Sequence, residues 1–270
     1  MMTNRGALGR LLMAGPLSIC LTGCVVGIVH LDSGINSGDE EASQRFSRVV
    51  EVDTQLSIRI VGQNGSITIR GVEGAEEVTV EAEQRVRSET LDDAQEHLHL
   101  VKILLQVGHD EILLETKQPI HSDGRSYLVD YEVTVPSDMD VVVTNGNGAV
   151  QLEELRSDAR LETGNGNVTI LAFSGSSWVT VGNGTVDASV DLPLGGKAVY
   201  TVGNGSVDFS VQPQVSARLN ARVGNGSISV TGLELVGPVS APNIFSSLLG
   251  SGAGLIDLTV GNGLVQVRGR

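Results

Sequence analysis

Aromatic side chains are scarce in this sequence: one tryptophan, three tyrosines and four phenylalanines among 270 residues. An enzyme working on polysaccharide needs acids, bases and, as a rule, sugar-stacking aromatics converging on a groove, and this chain is poorly supplied with the last. Basic residues are also few. Eighteen Lys and Arg stand against 32 Asp and Glu, a formal charge of −14. Such a chain is repelled by nucleic acid and has no electrostatic attraction to anionic lipid headgroups. Cysteine occurs only at positions 20 and 24, which excludes a thiolate metal cluster in the body of the chain.

What is abundant is glycine, and it recurs with asparagine. Gly-Asn-Gly or a close variant stands at residues 146–148, 164–166, 182–184, 203–205, 224–226 and 261–263, with an earlier relative at Gln63-Asn64-Gly65. The central asparagines 147, 165, 183, 204 and 225 are 18, 18, 21 and 21 residues apart, and Asn262 follows after 37. A fixed period near twenty marks a repeat architecture. Asn and Gly tolerate the positive φ that a tight corner needs.

Three places after each asparagine stand Ile67, Val150, Val168, Val186, Val207, Ile228 and Val265; five places after stand Ile69, Leu152, Ile170, Ala188, Phe209, Val230 and Val267. Between them lie Thr68, Gln151, Thr169, Asp187, Asp208, Ser229 and Gln266. This is period-two alternation held in register. Before the turn, Leu161, Val179, Tyr200, Ala221 and Leu258 form another apolar column. The pattern predicts an all-β fold, a single-stranded β-helix or solenoid-like stack of Gly-Asn-Gly rungs. A meandering antiparallel sheet or sandwich with Asn-Gly hairpins shares the turn signal.

The start of the chain carries an address. Arg5 and Arg10 precede an apolar run from Leu11, with no acidic residue, and the stretch ends Leu21-Thr22-Gly23-Cys24. The composition is that of an export signal, and the last four residues resemble the lipobox of bacterial lipoproteins. The resemblance implies cleavage of 1–23 and lipidation of Cys24, which would anchor the protein to the membrane. Val25 in place of Asp after that cysteine implies the outer membrane. Cys20 would leave with the signal, so the mature chain could form no internal disulfide. The competing expectation is an uncleaved anchor, because Leu11 to Leu31 has no charged residue and is long enough to span. Residues 24–45 are expected to be a flexible polar tether.

Residues 46–136 are expected to form an amino-terminal β part with one short helix, and 137–270 the repeats, the two continuous as one domain. Leu91, Ala94, Leu98 and Val101 are spaced for one helical face, with Thr90 as N-cap and an end near His99. The β–turn–β opening, the acidic helix, Val129-Asp130-Tyr131-Glu132-Val133-Thr134-Val135-Pro136 and the rungs from Asn145 onward resemble a bacterial family of β-strand-repeat proteins labelled adhesins. They are similar to the GIN adhesin-head domain. The resemblance covers Val49 to Arg270 and implies a β-helix-like domain at the cell envelope with no catalytic residue to carry over. The 37-residue last step departs from it.

Four features of the sequence could carry chemistry. His97, His99, His109 and His121 lie in one acidic segment, and two of them on a strand would begin a zinc site; solvated histidines are the simpler reading. Asp187 and Asp208 share a column of adjacent rungs and are weak calcium candidates. The glycine turns lack the helix that a phosphate loop requires. Trp178 projects on the outer column of Arg160 and Val199, and Ile244, Phe245, Leu248 and Leu249 lie in the irregular segment 238–254, either a partner-binding loop or, as favoured, a cap on the core. Trp178, Phe245, Leu248 and Leu249 are the candidate binding residues. No cofactor is expected. The function favoured is a non-catalytic envelope lipoprotein, a rigid β module for adhesion, scaffolding, or binding of polysaccharide or protein. The alternative is a polysaccharide lyase or hydrolase on a β-helix.

Overall fold

The computed structural model describes residues 40–270 and the strand His30–Asp32. The signal, Cys24, all of the alternative anchor before His30 and most of the expected tether lie outside the described residues. The amino-terminal part comprises β1 (His30–Asp32), β2 (Glu40–Glu51), β3 (Ser57–Val61), β4 (Ile67–Val72) and β5 (Glu77–Ser88), helix α1 (Leu91–Leu98), then β6 (Lys102–Val107), β7 (Glu111–Lys117) and β8 (Ser126–Pro136). The repeats form β9 (Asp140–Asn147), β10 (Val150–Glu153), β11 (Ala159–Asn165) and β12 (Val168–Phe173). Three long strands that run through their own turns follow: β13 (Ser177–Val190), β14 (Lys197–Val211) and β15 (Ala217–Thr231). A hairpin of β16 (Val236–Ala241) and β17 (Ile244–Leu249) leads to the last strand, β18 (Gly254–Gly269).

A rung consists of two arms meeting at an Asn-Gly corner. The arms of a rung do not pair with each other; each pairs with the same arm of the next rung, in parallel and in register. The hairpin meander is therefore not what forms. Core residues from the two arms meet instead across the interior, as where Tyr200 and Phe209 of one rung pack edge to face with ring centroids 5.5 Å apart. The columns are as the alternation predicts. Val150, Val168, Val186, Val207 and Val265 are all buried after the corner, and Leu161, Val179, Tyr200, Ala221 and Leu258 before it.

The fold is nearly all-β, with one helix among the described residues, and its strands join into one hydrogen-bonded sheet that curls into a nearly closed, barrel-like wall. This corrects the expectation of a single-stranded β-helix stack. A coil would place each rung on its predecessor in sequence. Here β18 lies between β14 and β15, parallel to both over its whole length. The 37-residue step is the detour that permits this: after β15 the chain turns back through the β16–β17 hairpin and inserts its last rung inside the stack. At the other end β3 and β4 lie between β7–β8 and β9–β10, and antiparallel β6, β5 and β2 extend the sheet.

Thr90 caps α1, its hydroxyl accepting from the Asp93 N–H (3.3 Å), and the helix stops at His99. The tether, by contrast, ends early: residues 40–45 belong to β2, paired with β5, and Ala42 is fully buried. Ala42 and Ser43, both buried, are too small to stand out as apolar among the charged residues around them.

Candidate binding face

The outer surface of the first arms is built by the same alternation that fills the core. In β13, Ser177 and Val179 point inward, so Trp178 points out. Register places Arg59, Val142, Arg160, Trp178, Val199 and Asp257 side by side on successive rungs, roughly 4.8 Å apart. Trp178 is half-buried, and the Arg160 guanidinium lies over its ring at 5.5 Å. That cation–π contact restrains the indole from one side. Two residues further along each strand runs a second outward row, Thr144, Glu162, Thr180, Thr201 and Thr259, ending at Arg222, which is paired with Asp257 at 3.0 Å. The face offers one aromatic plane, flanking Val142 and Val199, and a row of hydroxyls. It can stack a ring and hydrogen-bond its substituents.

The corners make this face stiff. The central asparagines form a ladder in which Nδ2 of one donates to Oδ1 of the next, all at 2.8 Å, running from Asn225 to Asn262, Asn204, Asn183, Asn165, Asn147 and finally Asn64, which only accepts. Sequence reasoning identified the asparagines as corner residues and missed the ladder, which exists only once the rungs are stacked.

The other candidates fare differently. Asp187 and Asp208 are neighbours as expected, but Arg268 of the inserted β18 pairs with Asp208 at 3.0 Å and supplies the positive charge a cation would have brought. Among the described residues no group of three or more His, Cys, Asp or Glu is placed to hold a metal. His97 lies in α1 and donates to the Asp93 carbonyl, while His99 follows the helix and donates to that of Glu96; the strand geometry that would pair them does not occur. The segment around Phe245 is a cap in part. Strand β17 pairs antiparallel with the first arm of β15, burying Leu249 and half-burying Phe245, whereas Ile244 and Leu248 remain exposed.

Acidic groups with displaced pKa values serve structure. Asp130, within the Val129–Pro136 stretch, has its carboxyl pushed up by burial. The Ser66 N–H and hydroxyl (both 2.7 Å) and Arg85 more than reverse this, so the net direction is downward. Asp93 is held well below the usual range by hydrogen bonds from Arg125 and Ser88, Glu153 by Gln151 and Arg70, and Glu73 by Arg156. A general acid needs the opposite displacement. Among the described residues no helix is long and apolar enough to cross a membrane.

No family model and no curated protein matches the sequence. Solved structures similar to this chain include a "putative cell adhesion protein" from Clostridium sporogenes, 14% identical, covering 84% of this chain and 100% of that one at a TM-score of 0.49. A "putative adhesin" from Bacteroides fragilis is 12% identical over 83% and 97% at 0.35. A "putative lipid binding protein" from Parabacteroides distasonis is 9% identical over 83% and 96% at 0.26. The resemblance to the GIN adhesin-head domain rests on sequence alone.

Proposed function

We propose that this protein is a non-catalytic, lipid-anchored module of the cell envelope that binds envelope polysaccharide on the outer face around Trp178. The observation that carries the reading is the half-buried Trp178, pinned by Arg160 beside the threonine row on a stiffened sheet. A rigid aromatic plane next to ordered hydroxyls recognises a sugar ring without spending conformational entropy on its own ordering. Cys24 supplies the anchor, and the outer membrane is its proposed site.

One experiment with two variants tests both halves. Cells making the full chain are fractionated, and the purified protein is incubated with isolated envelope polysaccharide and peptidoglycan while retained protein and newly released sugar ends are measured. Cys24→Ser should move the protein out of the membrane fraction. Trp178→Ala should reduce retention by about tenfold or more, as for the loss of a central aromatic contact, with an unchanged circular dichroism spectrum. Release of sugar ends, or retention indifferent to Trp178, would overturn the binding assignment.

A further inference from the structure

We infer that two copies of this chain join end to end through the open edge Ser227–Thr231 of β15 and the apolar hairpin β16–β17 beside it. The terminal rung is only half covered. Its first arm pairs with β17, but its second arm has β18 on one side and, among the described residues, no strand on the other. Ile228 and Val230 are consequently half-buried, although Val150, Val168, Val186, Val207 and Val265 in the same column as Ile228 are all buried. A groove of about 420 Å³ lined by Ser227, Ile228, Ala241, Ile244 and Phe245 continues from this edge. Val236 and Val239, 55% and 62% exposed, extend the apolar surface.

Charge selects the occupant. From Leu235 to Ile256 the chain has no charged residue, and Ser227–Thr231 has none either. Over most of their surfaces two chains of charge −14 repel; at this end they do not. The second-arm edge at the opposite end is charged. There β2, beyond the stretch covered by β1, carries Arg45, Arg48 and Glu51, with Arg48 folded over the Phe46 ring at 5.0 Å, the kind of charged edge that blocks strand addition. An edge that pairs antiparallel with its own copy closes a twofold dimer. Centred on Ser229, the pairing sets Ile228 of each copy opposite the partner's Val230 and covers both open core ends.

The test uses the full chain in detergent, by sedimentation across a concentration series. The native protein should form a dimer. Ser229→Lys, on the exposed outer face at the twofold axis, should raise the dissociation constant at least about tenfold, because like charges then face each other across an edge. At concentrations where both are monomeric, its melting curve should match the native one. Ser229→Cys should give a disulfide-linked dimer on mild oxidation and Thr180→Cys should not, since only the first places two thiols opposite each other. A monomer at all concentrations, a dimer unaffected by Ser229→Lys, or a Ser229→Cys protein that fails to cross-link would overturn the inference. A monomer that instead takes an extended peptide on this edge would do so too.

Discussion

Replacing Asn183-Gly184 by Val-Val is expected to abolish folding rather than weaken it. Gly184 has φ +152°, and a Cβ there would stand 1.9 Å from the Gly166 carbonyl oxygen of the rung below. That oxygen is backbone and is held in turn by its own rung, so no side chain can move to relieve the overlap. The equivalent positions on the other rungs, Gly166, Gly205 and Gly263, meet the preceding glycine carbonyl at 2.0, 1.7 and 1.6 Å. Asn183 donates to Asn165 and accepts from Asn204, so its loss also cuts the ladder in two places. The expected cost exceeds about 4 kcal/mol, beyond the ordinary range for point changes. Gly195→Ala is the control: φ is also positive there, but nothing lies within 4 Å of the added carbon, and about 1 kcal/mol is expected. Urea unfolding followed by circular dichroism separates the two. A double variant with a native-like transition would show that the corners do not stack as described.

Raising the pH should also destabilise the protein steeply, beginning near pH 10. Burial pushes the Tyr131 hydroxyl up to about 12, against a hydrogen bond with Thr116 (2.6 Å) that acts the other way. Tyr200 is displaced further in the same direction by complete burial, opposed by Ser177. A tyrosine whose folded pKa exceeds its unfolded value of about 10 keeps its proton more tightly in the folded state. Its contribution is therefore fully present below pH 10 and is lost as the pH rises through about 12. For Tyr131 alone the two-unit displacement corresponds to about 3 kcal/mol. Tyr131→Phe should flatten the alkaline fall by roughly that share, at the expense of the Thr116 hydroxyl, which loses its partner. Urea midpoints measured from about pH 9 to 12 check this; a stability unchanged across that range would mean the tyrosines are not buried as described.

Much of this architecture is legible along the chain because period-two alternation and corner chemistry are local. The inward positions from Val150 to Val267, the Thr90 cap and the outward direction of Trp178 all follow from residues a few places apart. Rung order is different. Each rung presents the same pair of parallel edges, so nothing in the columns of 217–231 or 254–269 says which of them sits against β14. The Asp208–Arg268 pair is hidden for the same reason: 60 residues separate the two in sequence, and only the insertion of β18 brings them together. The boundary at Glu40 was concealed by small residues, since Ala42 and Ser43 are buried without being conspicuously apolar.

The binding face, the Asn ladder and the open edge at Ser227–Thr231 all depend on β18 lying between β14 and β15. Cysteine pairs on the outer row test this most directly. Thr201 and Thr259 are register partners on adjacent strands, as are Thr259 and Arg222, so Thr201 and Arg222 are two strand spacings apart. A spacing of about 4.8 Å lies within reach of a disulfide and twice that does not. Thr201→Cys/Thr259→Cys should therefore oxidise to a linked form that migrates faster on a non-reducing gel, and Thr201→Cys/Arg222→Cys should stay free. The reverse result would place the rungs in sequence order and contradict the account.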